Sequence, residues 1–182
     1  MSDLLINRLI ELENNPSLVS ERNTAFARLR RGLSHPGLRY DTFHYVEPFV
    51  PEGCSETERL CRYLVAGLFA FHPLHTDQAW SLGRSFTELR HRRKSGAASL
   101  ERRFSALLDA HLDDAPNHLR HAFALLKAES VPVNYHRLLT DLTHWSREDR
   151  RVQLRWARDY WRDANAQAQR QVAATTSTET EA

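Results

Sequence analysis

The sequence predicts an all-α fold, a single compact domain of about eight helices over residues 1–172 followed by a disordered tail over 173–182. Three observations carry this. Apolar residues recur at spacings of three and four, whereas alternation over strand length is hard to find. Helix-start signals stand just ahead of the periodic stretches. The length of 182 residues, 41% apolar and 26% charged, fits one hydrophobic core.

Taken in order, helices are expected near 4–13 and 21–31, and Gly32 follows the second as a C-terminal stop should. Residues 32–54, with Pro36, Gly37, Pro48, Pro51 and Gly53, read as a long connection with room for a short helix around Thr42 to Val46. A helix over 56–71 opens with Ser55-x-x-Glu58, a capping box in which the serine oxygen and the acid satisfy free first-turn amides. It carries Leu60, Cys61, Leu64, Val65 and Leu68 and stops ahead of Pro73. Helices near 82–93 and 99–111 follow, and Pro116, preceded by Asp113 and Asp114, opens one over 116–128. The last two are expected at 134–145 and 147–170, the latter behind Ser146-x-x-Asp149. Ala173 to Ala182 consist of three Ala, four Thr, one Ser and two Glu, too little apolar surface to offset the entropy of ordering. Neither a solenoid-period repeat nor a Gly/Ser linker divides the chain.

Several classes are excluded. The longest apolar run, Leu64 to Phe71, has eight residues and contains Gly67, against about 20 for a spanning helix. Met1-Ser2-Asp3-Leu4-Leu5 has no basic segment leading into an apolar one, so a cytoplasmic location is expected. Cys54 and Cys61 cannot build a disulfide framework and are expected as thiols. Followed by His72-x-x-His75 they have the order of a zinc site, but they stand seven apart, and Cys61 belongs to an apolar helix face. His118-x-x-His121 lacks a third ligand, so no metal is expected. Nucleotide-binding, serine-hydrolase, zinc-protease and dithiol motifs are absent, which argues against an enzyme and implies no cofactor.

The basic residues are unusual. The net charge is only +2, yet 23 of the 25 basic residues are Arg, the exceptions being Lys94 and Lys127. Arg22, Arg28, Arg30 and Arg31 crowd ten residues without an acid, and residues 84–103 hold seven basic side chains against Glu88 and Glu101. On the last helix, Arg147, Arg151, Arg155, Arg158 and Arg162 fall within an arc of roughly 80° at 100° per residue, while Val152, Trp156 and Tyr160 occupy the wider buried side. Glu148, Asp159 and Asp163 flank this row as potential partners. Arg guanidiniums match phosphate oxygens bidentately and stack on bases, so the basic blocks read either as a phosphate-contact surface or as a solvated, salt-bridged face.

Six motifs in order resemble the CasB family, the small subunit of the type I-E CRISPR surveillance complex Cascade. They are Ala27-Arg28-Leu29-Arg30-Arg31-Gly32, Leu68-Phe69-Ala70-Phe71-His72-Pro73, Ser81-Leu82-Gly83-Arg84, Glu101-Arg102-Arg103-Phe104, Leu138-Leu139-x-Asp141-Leu142-x-x-Trp145 and Val152-Gln153-x-x-Trp156-Ala157. The match spans roughly 21–162, and position 134 departs from it in being Asn rather than Asp. The resemblance implies a non-catalytic, all-helical subunit present as a pair. Its partners would be the backbone and large subunits, a second copy of itself, the guide RNA and the target DNA, the displaced strand in particular. Carried over position by position, the nucleic-acid contacts would be Arg30, Arg31, Arg84, Arg102, Arg103, Arg120, Arg147, Arg150 and Arg151; the helical wheel adds Arg155 and Arg158. The alternative is a helical module that binds only proteins.

Overall fold

The computed structural model describes residues 3–37, 39–93 and 95–162. The helices in chain order are α1 (Leu4–Asn14), α2 (Val19–Gly32), α3 (Phe43–Val46), α4 (Glu56–Phe71), α5 (Leu82–Arg92), α6 (Ala97–Asp109), α7 (Ala115–Ala128), α8 (Tyr135–Thr143) and α9, whose described part runs over 151–162. Among the described residues there is no strand, only one parallel bridge between His75 and Val133. No helix among them is long and apolar enough to cross a membrane.

α4 is the axis of the fold. Its capping box forms as the spacing requires, with Glu58 N donating to Ser55 Oγ and Ser55 N donating to Glu58 Oε2. From Tyr63 to Ala70 every residue of it is buried, because α1, α2, α7 and α8 all pack against it. Gly67 permits the close approach of α2: a Cβ there would stand 2.7 Å from the Leu33 side chain and 3.1 Å from the Leu29 carbonyl oxygen. Phe69, Tyr135 and Phe123 meet behind it, with ring centroids 4.8 and 6.0 Å apart.

The second half of the core seats α9. Phe86 of α5, Phe104 of α6 and Tyr160 of α9 stack in turn at 4.6 and 4.8 Å, and Trp145 packs on Trp156 at 5.0 Å. A Cβ on Gly83 would lie 2.7 Å from the Trp156 carbonyl carbon, so α5 touches the α9 backbone directly. Thr87 Oγ1 donates to the Asp159 carbonyl (3.0 Å) and Gln153 Nε2 to that of Trp145 (2.8 Å).

One difference from the sequence-based expectation matters for the basic face. α9 begins at 151 rather than 147, because residues 144–150 turn and Arg150 adopts a φ of 48°. The Ser146-x-x-Asp149 box therefore does not form, and Asp149 Oδ1 instead accepts from Arg151 N at 3.3 Å. The connection 32–54 does hold its short helix, α3, flanked by 3-10 turns at Tyr40–Thr42 and Glu47–Phe49. The expected extension of the last helix to 170 and the tail over 173–182 lie outside the described residues.

Candidate nucleic-acid interface

The apolar side of α9 is fixed by burial of Val152, Trp156 and Tyr160, which turns Arg151, Arg158 and Arg162 outward. At its N-terminal end α8 runs alongside, and the two helices border an open cavity of about 320 Å³ lined by Arg137, Arg147, Arg151 and Arg155 together with Asp141 and His144. Asp141 is 2% exposed and organises this corner. Its Oδ2 accepts from Trp156 Nε1 at 2.6 Å and its Oδ1 from Arg155 at 2.5 Å. Arg137 Nε stands 3.2 Å from the same Oδ1 as an ion-pair contact, without the angle of a hydrogen bond.

Asp149 is the second carboxylate nearby. A hydrogen bond from Arg151 Nε (2.6 Å) holds its carboxyl below the usual range, and Arg147 at 3.6 Å acts in the same direction. Four guanidinium side chains, each at least a third exposed, thus face two carboxylates. Such a surplus of forked donors around an open concavity has the chemistry to donate to phosphate oxygens, and at this degree of exposure any such attraction is salt-dependent.

The remaining sequence-predicted residues are distributed over several elements. Arg102 and Arg103 on α6, Arg120 on α7 and Arg158 on α9 are exposed, with no ion-pair partner among the described residues. Arg84 is half-buried, lies over the Trp80 ring at 6.0 Å and shares a cavity with Asp159 and Arg162. Arg30 and Arg31 end α2; Arg31 stands 3.6 Å from Asp41, and Arg30 borders a different cavity with Arg22 and Lys127. Arg150 is engaged internally, donating to the Leu108 carbonyl at 2.7 Å and so closing the C-terminal end of α6. Arg155 is likewise engaged, by Asp141.

Arg137 was not singled out by sequence reasoning, although its i, i+4 relation to Asp141 was there to be read. The histidines have other work. His72 is buried and its Nε2–H donates to the Val131 carbonyl at 2.7 Å, while His75 meets Asp77. Among the described residues no three His, Cys, Asp or Glu side chains converge to hold a metal ion.

Residues 25–161, three quarters of the chain, match the family model described as CRISPR-associated protein Cse2. The chain belongs to the Cse2 family. The CRISPR-associated protein Cse2 of Thermus thermophilus is 39% identical over 139 residues, 75% of this chain and 78% of that protein. The crystal structure of CasB from Thermus thermophilus superposes with a TM-score of 0.72 at 35% identity, covering 86% of this chain and 95% of that one. A chain of a CRISPR RNA-guided surveillance complex superposes with a TM-score of 0.73 at 25% identity, covering 92% and 95%. All six motifs that carry the CasB resemblance fall inside the matched span.

Proposed function

We propose that this Cse2-family chain is a non-catalytic small subunit of the type I-E Cascade complex in antiviral defence. It acts in the cytoplasm, where it steadies the guide RNA, the target DNA and above all the displaced strand through sequence-independent phosphate contacts. The observation that carries this is the cavity between α8 and α9, where Arg137, Arg147, Arg151 and Arg155 outnumber Asp141 and Asp149. Arg102, Arg103, Arg120 and Arg158, exposed on α6, α7 and α9, are further phosphate-contact candidates in this reading. An unpaired strand presents phosphates that such a surface tracks without reading sequence, and the guide RNA supplies recognition by base pairing.

The superposition on a surveillance-complex chain supports the other Cascade subunits as partners; a second copy of the chain alongside rests on the CasB resemblance. A net charge of only +2 suits a subunit that packs against several proteins, since a uniformly basic surface would bind nucleic acid before assembly. The test is anisotropy of labelled single-stranded DNA titrated with the chain, against duplex of equal length. Binding with little sequence preference that weakens linearly in log salt supports the proposal; no binding even at low salt favours a module that docks only on proteins.

A further inference from the structure

At the far end of α9 from the Arg137 cavity, a second open cavity of about 320 Å³ has a different composition. It is lined by Trp80, Ser81 and Arg84, which lead into α5, and by Asp159 and Arg162 of α9. Trp80 is half-buried, unlike Trp145 and Trp156, which lie in the core. It makes no aromatic ring pair among the described residues, and the Arg84 guanidinium lies over its ring, 6.0 Å from the centroid. Ser81 fixes the geometry of this corner, accepting from Arg84 N at 3.3 Å and donating to Asp159 Oδ2 at 2.5 Å.

We infer that this cavity is a subsite for an unpaired nucleobase, stacked on Trp80 and flanked by Arg84 and Arg162 on its neighbouring phosphates. The inference rests on the phosphate-binding reading of α9 and assigns the base-contacting part of the same face. Three features favour a base over a further phosphate. A half-buried indole that borders an open cavity offers a flat apolar platform on which any base can stack. The Asp159 carboxylate repels a phosphate but accepts hydrogen bonds from the N–H groups on a base edge. Arg84 lies over the ring at 6.0 Å, where a guanidinium can meet both the stacked base and its phosphate. The geometry also suits one strand spanning both cavities. Arg151 and Arg162 are eleven residues apart on one helix, about 16 Å at 1.5 Å per residue.

The experiment compares two single-stranded oligomers of equal length and charge, one carrying bases and one wholly abasic, against the full chain at matched salt. The subsite predicts that the base-bearing oligomer binds between about fivefold and about a hundredfold more tightly, the range for stacking one base on an aromatic side chain. Trp80→Leu should remove most of that preference without altering the salt slope, and Trp80→Phe should keep much of it. Equal affinity of the unaltered chain for both oligomers overturns the subsite and leaves the phosphate face standing. A preference that survives in Trp80→Leu overturns the assignment to Trp80. Absence of salt-dependent binding to either oligomer overturns the phosphate face, and the subsite with it. The comparison on the unaltered chain needs no variant to fold, so loss of structure in Trp80→Leu does not blunt the test.

Discussion

Asp141→Asn should move stability and nucleic-acid affinity in opposite directions. Asp141 is the buried acceptor for Trp156 Nε1 and Arg155 and the ion-pair partner of Arg137. The amide oxygen of Asn can still accept from the indole, so that bond persists but loses its charge assistance, at a cost of about 1 kcal/mol. Arg155 and Arg137 are 34% and 41% exposed, and solvent screening keeps the loss of their attraction to roughly 0.5 kcal/mol each. The sum of about 2 kcal/mol lowers the midpoint of thermal unfolding by roughly 4–8 °C in a domain of this size. Asp141→Ala, which strands the indole N–H, should cost about 1–3 kcal/mol more. Meanwhile the cavity has one negative charge fewer against four guanidiniums, so single-stranded DNA should bind more tightly at low salt. One added phosphate contact would steepen the slope of log affinity against log salt by about 0.7. Thermal melts read by circular dichroism and anisotropy titrations on the same preparation give both quantities. An unchanged midpoint would refute the buried-acceptor role, and weaker binding in step with lower stability would refute the cavity as the phosphate site.

Other consequences can be measured on the isolated chain. Gly83→Ala should destabilise by about 3 kcal/mol in urea melts, because the added methyl meets the Trp156 backbone, which cannot swing aside. Burial lowers the affinity of His72 and His136 for protons, so the unfolded chain takes up protons first. Stability should therefore be level above about pH 6.5 and decline as pH falls below it, which urea midpoints between pH 8 and pH 5 will show. The Cys61 thiol is pushed up to about 12 by burial, so a thiol reagent at pH 8 should count one cysteine, Cys54, in the native chain and two in denaturant.

The helices were legible because their signals are local. Ser55 and Glu58 close a box three residues apart, Pro116 sits in the first turn of α7, and the apolar stripe of α4 predicts its central place. The start of α9 was misplaced because Ser146-x-x-Asp149 competes with a tertiary contact. Arg150 turns back to the Leu108 carbonyl, 42 residues earlier in the chain, and takes a positive φ to reach it. The wheel then grouped Arg147 with a helix it precedes.

The basic character of the face was also legible, since Arg151, Arg158 and Arg162 point outward once the buried side of α9 is known. What the wheel could not reveal was how each guanidinium is spent. The Arg155–Asp141 bond joins residues of two helices, fourteen apart in sequence, and has no short-range signature. The sequence therefore did not show that Arg150 and Arg155 also make intramolecular bonds, nor that Arg137 and Trp80 line the two cavities.

The proposed role requires that exposed Arg side chains on α6 and α9 bind nucleic-acid phosphates. It is tested most directly by the salt slope of single-stranded DNA binding for the unaltered chain and for Arg102→Ala/Arg103→Ala and Arg151→Ala/Arg158→Ala. Arg102, Arg103 and Arg158 have no ion-pair partner among the described residues, and Arg151 contacts only the exposed Asp149, so unfolding should not change appreciably. Each pair should lower the slope by about 1.4, at about 0.7 per lost phosphate contact, and weaken binding alike across sequences. Slopes unchanged in both pairs would contradict the claim and leave the Arg rows as solvated or protein-facing surface.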